Sequence, residues 1–294
     1  MTSSAPRLSL RRWTCALLCA VLLAAASANG ASTVLYEKQS AYNDIVVTQE
    51  GPGLRALRFE RGGALQSLVR VDAPGQPVLA YLRTIMLALA LCEAPQRVLV
   101  VGLGGGTLPG FLHQRYPAAR IDVVDIDPEV VHVAKTYFGF REDERLRAHV
   151  ADGRSYIEQA RAAYDIIFLD AFGARSVPPH MTTLEFLGAV RRALRPGGLV
   201  AGNLWNSAYN PAYDAMARTY QEAFETVRVV PVAGTGNRIL LALPRSETVD
   251  TATLARRARR IAAERQFGFD LAAEVLETPP DEAAAIRPAR VLRD

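Results

Sequence analysis

The chain has 294 residues, half of them hydrophobic and 22% charged, a balance that excludes a disordered chain. Only one apolar run approaches membrane scale, which excludes a multi-span membrane protein. Of the formal net charge of +4, three charges come from Arg7, Arg11 and Arg12 in an acid-free N-terminus, leaving +1 for residues 31–294; a nucleic-acid partner does not follow from charge.

Those three arginines, an apolar stretch from Trp13 to Ala26 and the small residues Ala26-Ser27-Ala28 have the three-part order of a secretory signal peptide. Residues 1–28 are therefore expected to direct export to the periplasm or beyond. The apolar run is short for a bilayer span, and an uncleaved membrane anchor is the alternative. Of three cysteines only Cys92 follows the leader, so no internal disulfide is expected.

Residues 31–95 read as a small N-terminal β domain with a linking helix. Ile45–Val47 and Leu54–Phe59 are strand-like, with turns at Gly51-Pro52-Gly53 and Gly62-Gly63. Leu79 to Leu91 is expected to be one helix.

Residues 96–245 alternate strands and helices. Arg97–Val101 is a continuous apolar strand of the kind buried in parallel sheets. A glycine-rich turn follows at Gly102–Gly106, then a helix over Thr107–Tyr116. Strands are expected near Ile121–Val124, Arg147–Val150, Tyr164–Leu169 and Leu199–Asn203, and helices near Pro128–Phe138, Arg154–Arg161 and Thr183–Leu194. Val227–Pro231 and Arg238–Leu243 read as a closing strand pair. The fold class is α/β: a doubly wound Rossmann-like sheet preceded by a small antiparallel β domain. Residues 246–294 form a C-terminal helical tail. Its arginine-rich helix over Asp250–Phe267 has an apolar stripe of Leu254, Ala258 and Ile261 for docking; its charged face reads as a solvated face, with an anionic membrane surface as the alternative.

Glycines between a strand and a helix let backbone approach a ligand, and the helix offers free N–H groups. Gly102 and Gly104 are placed in such a loop. Asp125 ends the second strand 23 residues after Gly102, where an acid can accept hydrogen bonds from ribose hydroxyls. A dinucleotide and an adenosyl sulfonium both fit these features. Asp152-Gly153 after the third strand, Asp170 at the carboxyl end of the fourth and Arg195-Pro196-Gly197-Gly198 before the fifth favour the sulfonium. The four histidines are not at metal-ligand spacing, and no metal is expected. Trp205 and Tyr209 are candidate walls of a substrate pocket.

Over residues 36 to 245 the chain resembles the spermidine synthases, the polyamine aminopropyltransferases. The resemblance is carried by Gln39-Ser40-Ala41-Tyr42-Asn43-Asp44-Ile45, by Val98–Thr107, by Val124-Asp125-Ile126-Asp127, by Asp152-Gly153, by Asp170 and by Met181–Phe186. It implies that Gln39, Asp125, Asp152 and Gly153 hold an adenosyl donor, either decarboxylated S-adenosylmethionine or S-adenosylmethionine, and that Asp170 is the proton acceptor. It also exposes departures. Gly105 stands where the family has an aspartate, Tyr81-Leu82-Arg83 where it has Tyr-His-Glu, and Gly173 at the second aspartate of Asp-Ser-x-Asp-Pro. A diamine needs carboxylates at both ends, so the nucleoside half is expected to be kept and the diamine half to be largely lost, with Arg83 adding positive charge. The expected partners are a small-molecule amine or other acceptor and a second copy of the chain in a homo-oligomer, without nucleic acid.

Overall fold

A computed structural model of the protein describes residues 32–173, 177–248, 250–276 and 287–294. The expected signal peptide lies outside the described residues. The small sheet is an antiparallel meander of β1 (Thr33–Gln39), β2 (Asp44–Gly51), β3 (Leu54–Arg58) and β4 (Leu65–Arg70), paired in sequence order. Ile45, Val47, Leu57 and Val69 are fully buried on one face, with the period of two that strands impose. The sequence reading found β2 and β3 but not their neighbours. β1 is exposed at every residue but half-buried Tyr36, and β4 interrupts its apolar residues with Gln66 and Ser67.

The expected single helix is two short ones, α1 (Ala80–Ile85) and α2 (Ala88–Leu91). Between them Met86, Leu87, Leu89 and Ala90 each bond the carbonyl three residues back, a tighter winding than the α-helix. The whole join is buried, so packing rather than a solvent-facing stripe sets its course.

The second sheet is built from β5 (Arg97–Val101), α3 (Thr107–Arg115), β6 (Arg120–Asp125), α4 (Pro128–Tyr137), β7 (Leu146–Val150), α5 (Gly153–Glu158), β8 (Tyr164–Leu169), α6 (Leu184–Ala193), β9 (Leu194–Trp205), α7 (Tyr213–Ala223), β10 (Thr226–Pro231) and β11 (Asn237–Leu243). The strand order is β10-β11-β9-β8-β5-β6-β7. β5 to β9 are parallel, and β11 runs antiparallel to both of its neighbours. The chain leaves β5 toward β6 and β7, then returns to β8 on the other side, so the order reverses between β5 and β8. Open α/β sheets place a ligand crevice at the carboxyl ends of strands at such a point.

Arg195-Pro196-Gly197-Gly198 is not a turn before the fifth strand but a bulge inside it. Leu194 already pairs with Tyr164, and Leu199 pairs with Ile166, so these residues loop out opposite Asp165. Gly197, at φ +83°, supplies the backbone that the bulge requires.

α5, α6 and α7 cover one face of the sheet, around Phe186, Leu187 and Tyr220. The small sheet, α1 to α4 and the C-terminal α8 (Thr251–Glu264) cover the other, around Phe111, Phe138 and Leu89. Leu254, Ala258 and Ile261 of α8 are buried there as expected. Arg260 pairs with Glu93 and Arg257 with Glu247. No helix among the described residues is long and apolar enough to cross a membrane.

Candidate active site

A cavity of about 530 Å³ opens at the carboxyl ends of the strands, where the order reverses, beneath the small sheet. It divides along the sheet. On one side lie Gly102, Leu103 and Gly104 after β5, Asp125 at the end of β6, and Asp152 and Gly153 after β7. On the other lie Tyr81 and Leu82 of α1, Phe172 and Gly173 after β8, Asn203 and Trp205 of β9, and Asn237 of β11. Asp170, directly after β8, stands at the join.

The glycine loop is shaped by its neighbours. Gly102 has φ +98° and Gly104 φ +52°, values that favour glycine. A Cβ on Gly102 would lie 2.3 Å from the Asp170 carbonyl oxygen, so this glycine is what lets the β8 loop pass. The Gly105 N–H donates to Ser67 Oγ of β4 at 2.8 Å, tying the loop to the small sheet. Gly105 itself does not line the cavity. A Cβ there would meet Val69 Cγ2 at 2.7 Å. Gly105 thus faces Val69 rather than the cavity, and a side chain there would have to displace Val69 Cγ2.

Asp125 receives the Leu103 N–H on Oδ2 at 2.9 Å and the Asp127 N–H on Oδ1 at 3.0 Å. Burial pushes its pKa up to about 6, and the two backbone N–H bonds hold the rise in check. Each oxygen keeps a second lone pair for a ligand hydroxyl. The neighbouring Asp127 is fully buried. It caps α4 through the Glu129 N–H (2.9 Å) and accepts from Ser40 Oγ at 2.6 Å, pinning the β1–β2 turn over the cavity edge, where Tyr42 and Asn43 line it.

Asp152 caps α5 through the Ser155 N–H (2.8 Å) and pairs with His180 Nε2 at 3.0 Å. Burial raises its pKa, but the bonds from Ser155 and His180 outweigh that and leave it lowered. Gln39 does not join this group: it is exposed at the end of β1, paired in register with Asp44, and it does not line the cavity.

Asp170 keeps an edge on the cavity while protein surrounds the rest of the carboxylate. Asn203 Nδ2 donates to Oδ1 at 2.9 Å and the Tyr81 hydroxyl to Oδ2 at 3.1 Å. Asn237 Nδ2 in turn donates to Asn203 Oδ1 at 3.0 Å, which fixes the amide's orientation. Burial pushes the Asp170 pKa up to about 6, opposed by the bonds from Asn203 and Tyr81. For Tyr81, burial and then the adjacent carboxylate push the hydroxyl well above its ordinary value, so it remains a donor. Tyr81, Asn203 and Asn237 were not foreseen as functional. Tyr81 lies in a segment noted above only for its departure from the family's Tyr-His-Glu; no motif marks the two asparagines.

Two expectations about the walls are half right. Trp205 lines the cavity, whereas Tyr209 is 66% exposed and lies over Gly236 of the following turn. Leu82 lines it too, but Arg83 points away, pairing with Glu274 at 3.0 Å. Arg83 thus adds no positive charge to the site. Among the described lining residues the carboxylates are Asp125, Asp152 and Asp170, and the one imidazole is His180. No cluster of three or more His, Cys, Asp or Glu side chains suited to a metal occurs among the described residues.

Comparison with known proteins follows this geometry. The family model for the spermine/spermidine synthase domain matches residues 79–230. The polyamine aminopropyltransferase of Vibrio vulnificus is 34% identical over 235 residues, 78% of this chain and 77% of that protein. The human eEF1A lysine and N-terminal methyltransferase is 41% identical over 138 residues, 43% of this chain and 19% of that protein. The structure of human methyltransferase-like protein 13 in complex with SAH superposes with a TM-score of 0.58 at 30% identity, covering 64% of this chain and 93% of that one. With a parallel methyltransferase-like sheet, a small antiparallel sheet above its crevice and a family match over more than half its length, the chain belongs to the spermine/spermidine synthase family.

Proposed function

We propose that the protein transfers an alkyl group from an adenosyl sulfonium donor to an amine, with Asp170 as proton acceptor. The observation that carries this reading is the position of Asp170: one carboxylate, held by Tyr81 and Asn203, between the half of the cavity lined by Asp125 and Asp152 and a largely neutral half. The donor supplies an electrophilic carbon beside a positively charged sulfur. As the amine nitrogen bonds to that carbon, the carbon–sulfur bond breaks, sulfur keeps the electron pair as a neutral thioether, and the amine's proton passes to Asp170. An ammonium has no lone pair, so a base beside the reacting carbon is required. The carboxylate also offsets positive charge in the donor. Gly102, Gly104, Asp125, Asp152 and Gly153 would hold the adenosyl part. Tyr81 and Asn203 position the base.

The family favours aminopropyl transfer from the decarboxylated donor. Methyl transfer from S-adenosylmethionine is the second reading, favoured by the methyltransferase relatives, by Leu82 at the family's histidine and by the missing carboxylates at Arg83 and Gly173. Incubation of the protein with each donor and a mixture of amines, followed by mass spectrometry, separates the two without knowing the acceptor. Methylthioadenosine release marks aminopropyl transfer, and S-adenosylhomocysteine release marks methyl transfer. Release of neither, with methylthioadenosine still binding tightly, would replace catalysis by a binding role.

Export remains part of the proposal, on the strength of residues 1–28. N-terminal sequencing from a native-like host tests it; intact Met1 in a cytoplasmic fraction would remove it. A membrane contact through α8 would rest on its arginine face alone, since the apolar face is covered. A homo-oligomer is proposed with it, and light scattering of the purified protein tests that.

A further inference from the structure

We propose that the acceptor is a monoamine with a flat apolar body, seated between Leu82 and the Phe172–Trp205 pair. This rests on the reading above, that the cavity binds an adenosyl group and that Asp170 takes a proton from an amine. Three observations carry it.

The first is charge. In the acceptor half Asp170 is the one carboxylate among the described lining residues. The described lining residues after it, Ala171, Phe172 and Gly173, carry no acid, and Thr235 and Asn237 on the opposite rim are neutral. One carboxylate serves one amine. A second ammonium in the same half would lose water without gaining a counter-charge, which is costly in an apolar setting.

The second is shape. Asn203 and Trp205 are two residues apart on β9, and side chains two apart on a strand share a face. The face that presents Asn203 to the proton acceptor therefore also presents Trp205 to the cavity. Phe172, two residues beyond Asp170, lies against Trp205 with ring centroids 5.2 Å apart at 34°. Both rings are half-buried and line the cavity. Aromatic surfaces of this kind gain from burial against another flat apolar group.

The third is Leu82. It lines the cavity at 5% exposure, one residue after the tyrosine that holds Asp170. Its neighbour Arg83 is turned to Glu274, and Thr84 Oγ1 donates to the same carboxylate at 2.6 Å. This pairing locks α1 with its leucine inward. The seat beside the base is thus apolar by construction.

Isothermal titration of the full chain, saturated with methylthioadenosine at pH 7.5, tests this with two probes: 2-phenylethylamine and putrescine. The expected result is at least tenfold tighter binding of 2-phenylethylamine, about the effect of one uncompensated charged group. Trp205→Ala should weaken 2-phenylethylamine about tenfold and leave methylthioadenosine unchanged. Gly173→Asp should narrow the preference by favouring putrescine; Leu82→Glu is the parallel variant should that one fail to fold. Methylthioadenosine binding with putrescine equal or tighter overturns the acceptor class alone. So does methylthioadenosine binding with neither amine bound. Failure of methylthioadenosine itself to bind overturns the adenosyl reading and the acceptor class with it.

Discussion

Asp125 and Asp170 pull the protein in two directions. Both carboxyls are pushed from an ordinary 3.8 to about 6, chiefly by burial. Between those values the folded state holds more protons than the unfolded chain, so these groups add stability as the pH falls through the window and subtract it as the pH rises. At neutral pH both are ionised at a cost. Asp170→Asn should therefore raise the melting temperature of the ligand-free protein at pH 7.5 while removing its base; a lower melting temperature would show that the carboxylate stabilises the fold. Gly102→Ala makes the opposite prediction. A Cβ at φ +98°, 2.3 Å from the Asp170 carbonyl, must displace the β8 loop, so both stability and turnover should fall; thermal melts and the release assay check this. The acids of the site were legible because each ends a strand in the sequence pattern. Their partners were not. The hold of Tyr81, Asn203 and Asn237 on Asp170 joins residues 33 to 89 positions apart, and no local pattern encodes such contacts. Gln39 shows the converse: a motif residue identified by resemblance lies outside the cavity.

Among the elements, the long apolar strands and amphipathic helices of the large sheet were readable because burial on both faces writes continuous Val and Ile runs. β1 was missed because an exposed edge strand carries little periodicity, and β4 because Gln66 and Ser67 interrupt its apolar residues. The segment over 287–294 was expected to belong to a helical tail, but it holds no helix. It instead straps α5, α6 and α7: Leu292 accepts from the Leu184 N–H at 2.8 Å and donates its own to Thr219 Oγ1 at 2.9 Å. Asp294 takes both Nη atoms of Arg154, and Arg154 Nη1 also donates to the His180 carbonyl at 3.0 Å. His180 in turn holds Asp152. The strap thus braces the Asp152 side of the cavity through Arg154. Arg154→Ala should weaken methylthioadenosine binding a few-fold, with little change in melting temperature, because partly exposed ion pairs contribute little to global stability. Titration calorimetry beside a thermal melt separates the two effects; unchanged affinity would make the strap purely structural.

At the scale of the molecule, the crevice is assembled from both sheets, with Ser67 and Asp127 as the ties. Ligand in the crevice should therefore stabilise the whole. At a hundred times its dissociation constant, methylthioadenosine should contribute about 2.7 kcal/mol, a rise of roughly 5–10 °C in melting temperature for a domain of this size; no rise would mean that the folded protein does not bind methylthioadenosine at that concentration. The central claim is that Asp170 is the base of an adenosyl-dependent transfer. The most direct test is the pH dependence of methylthioadenosine or S-adenosylhomocysteine release by the wild type and by Asp170→Asn. A base works only when ionised, so wild-type turnover should rise with pH through about 6 and then level. The Asn variant should be slower by roughly 10²–10⁴-fold, without that rise, and should still bind methylthioadenosine. Release by Asp170→Asn at the wild-type rate, with the same pH profile, would contradict the account.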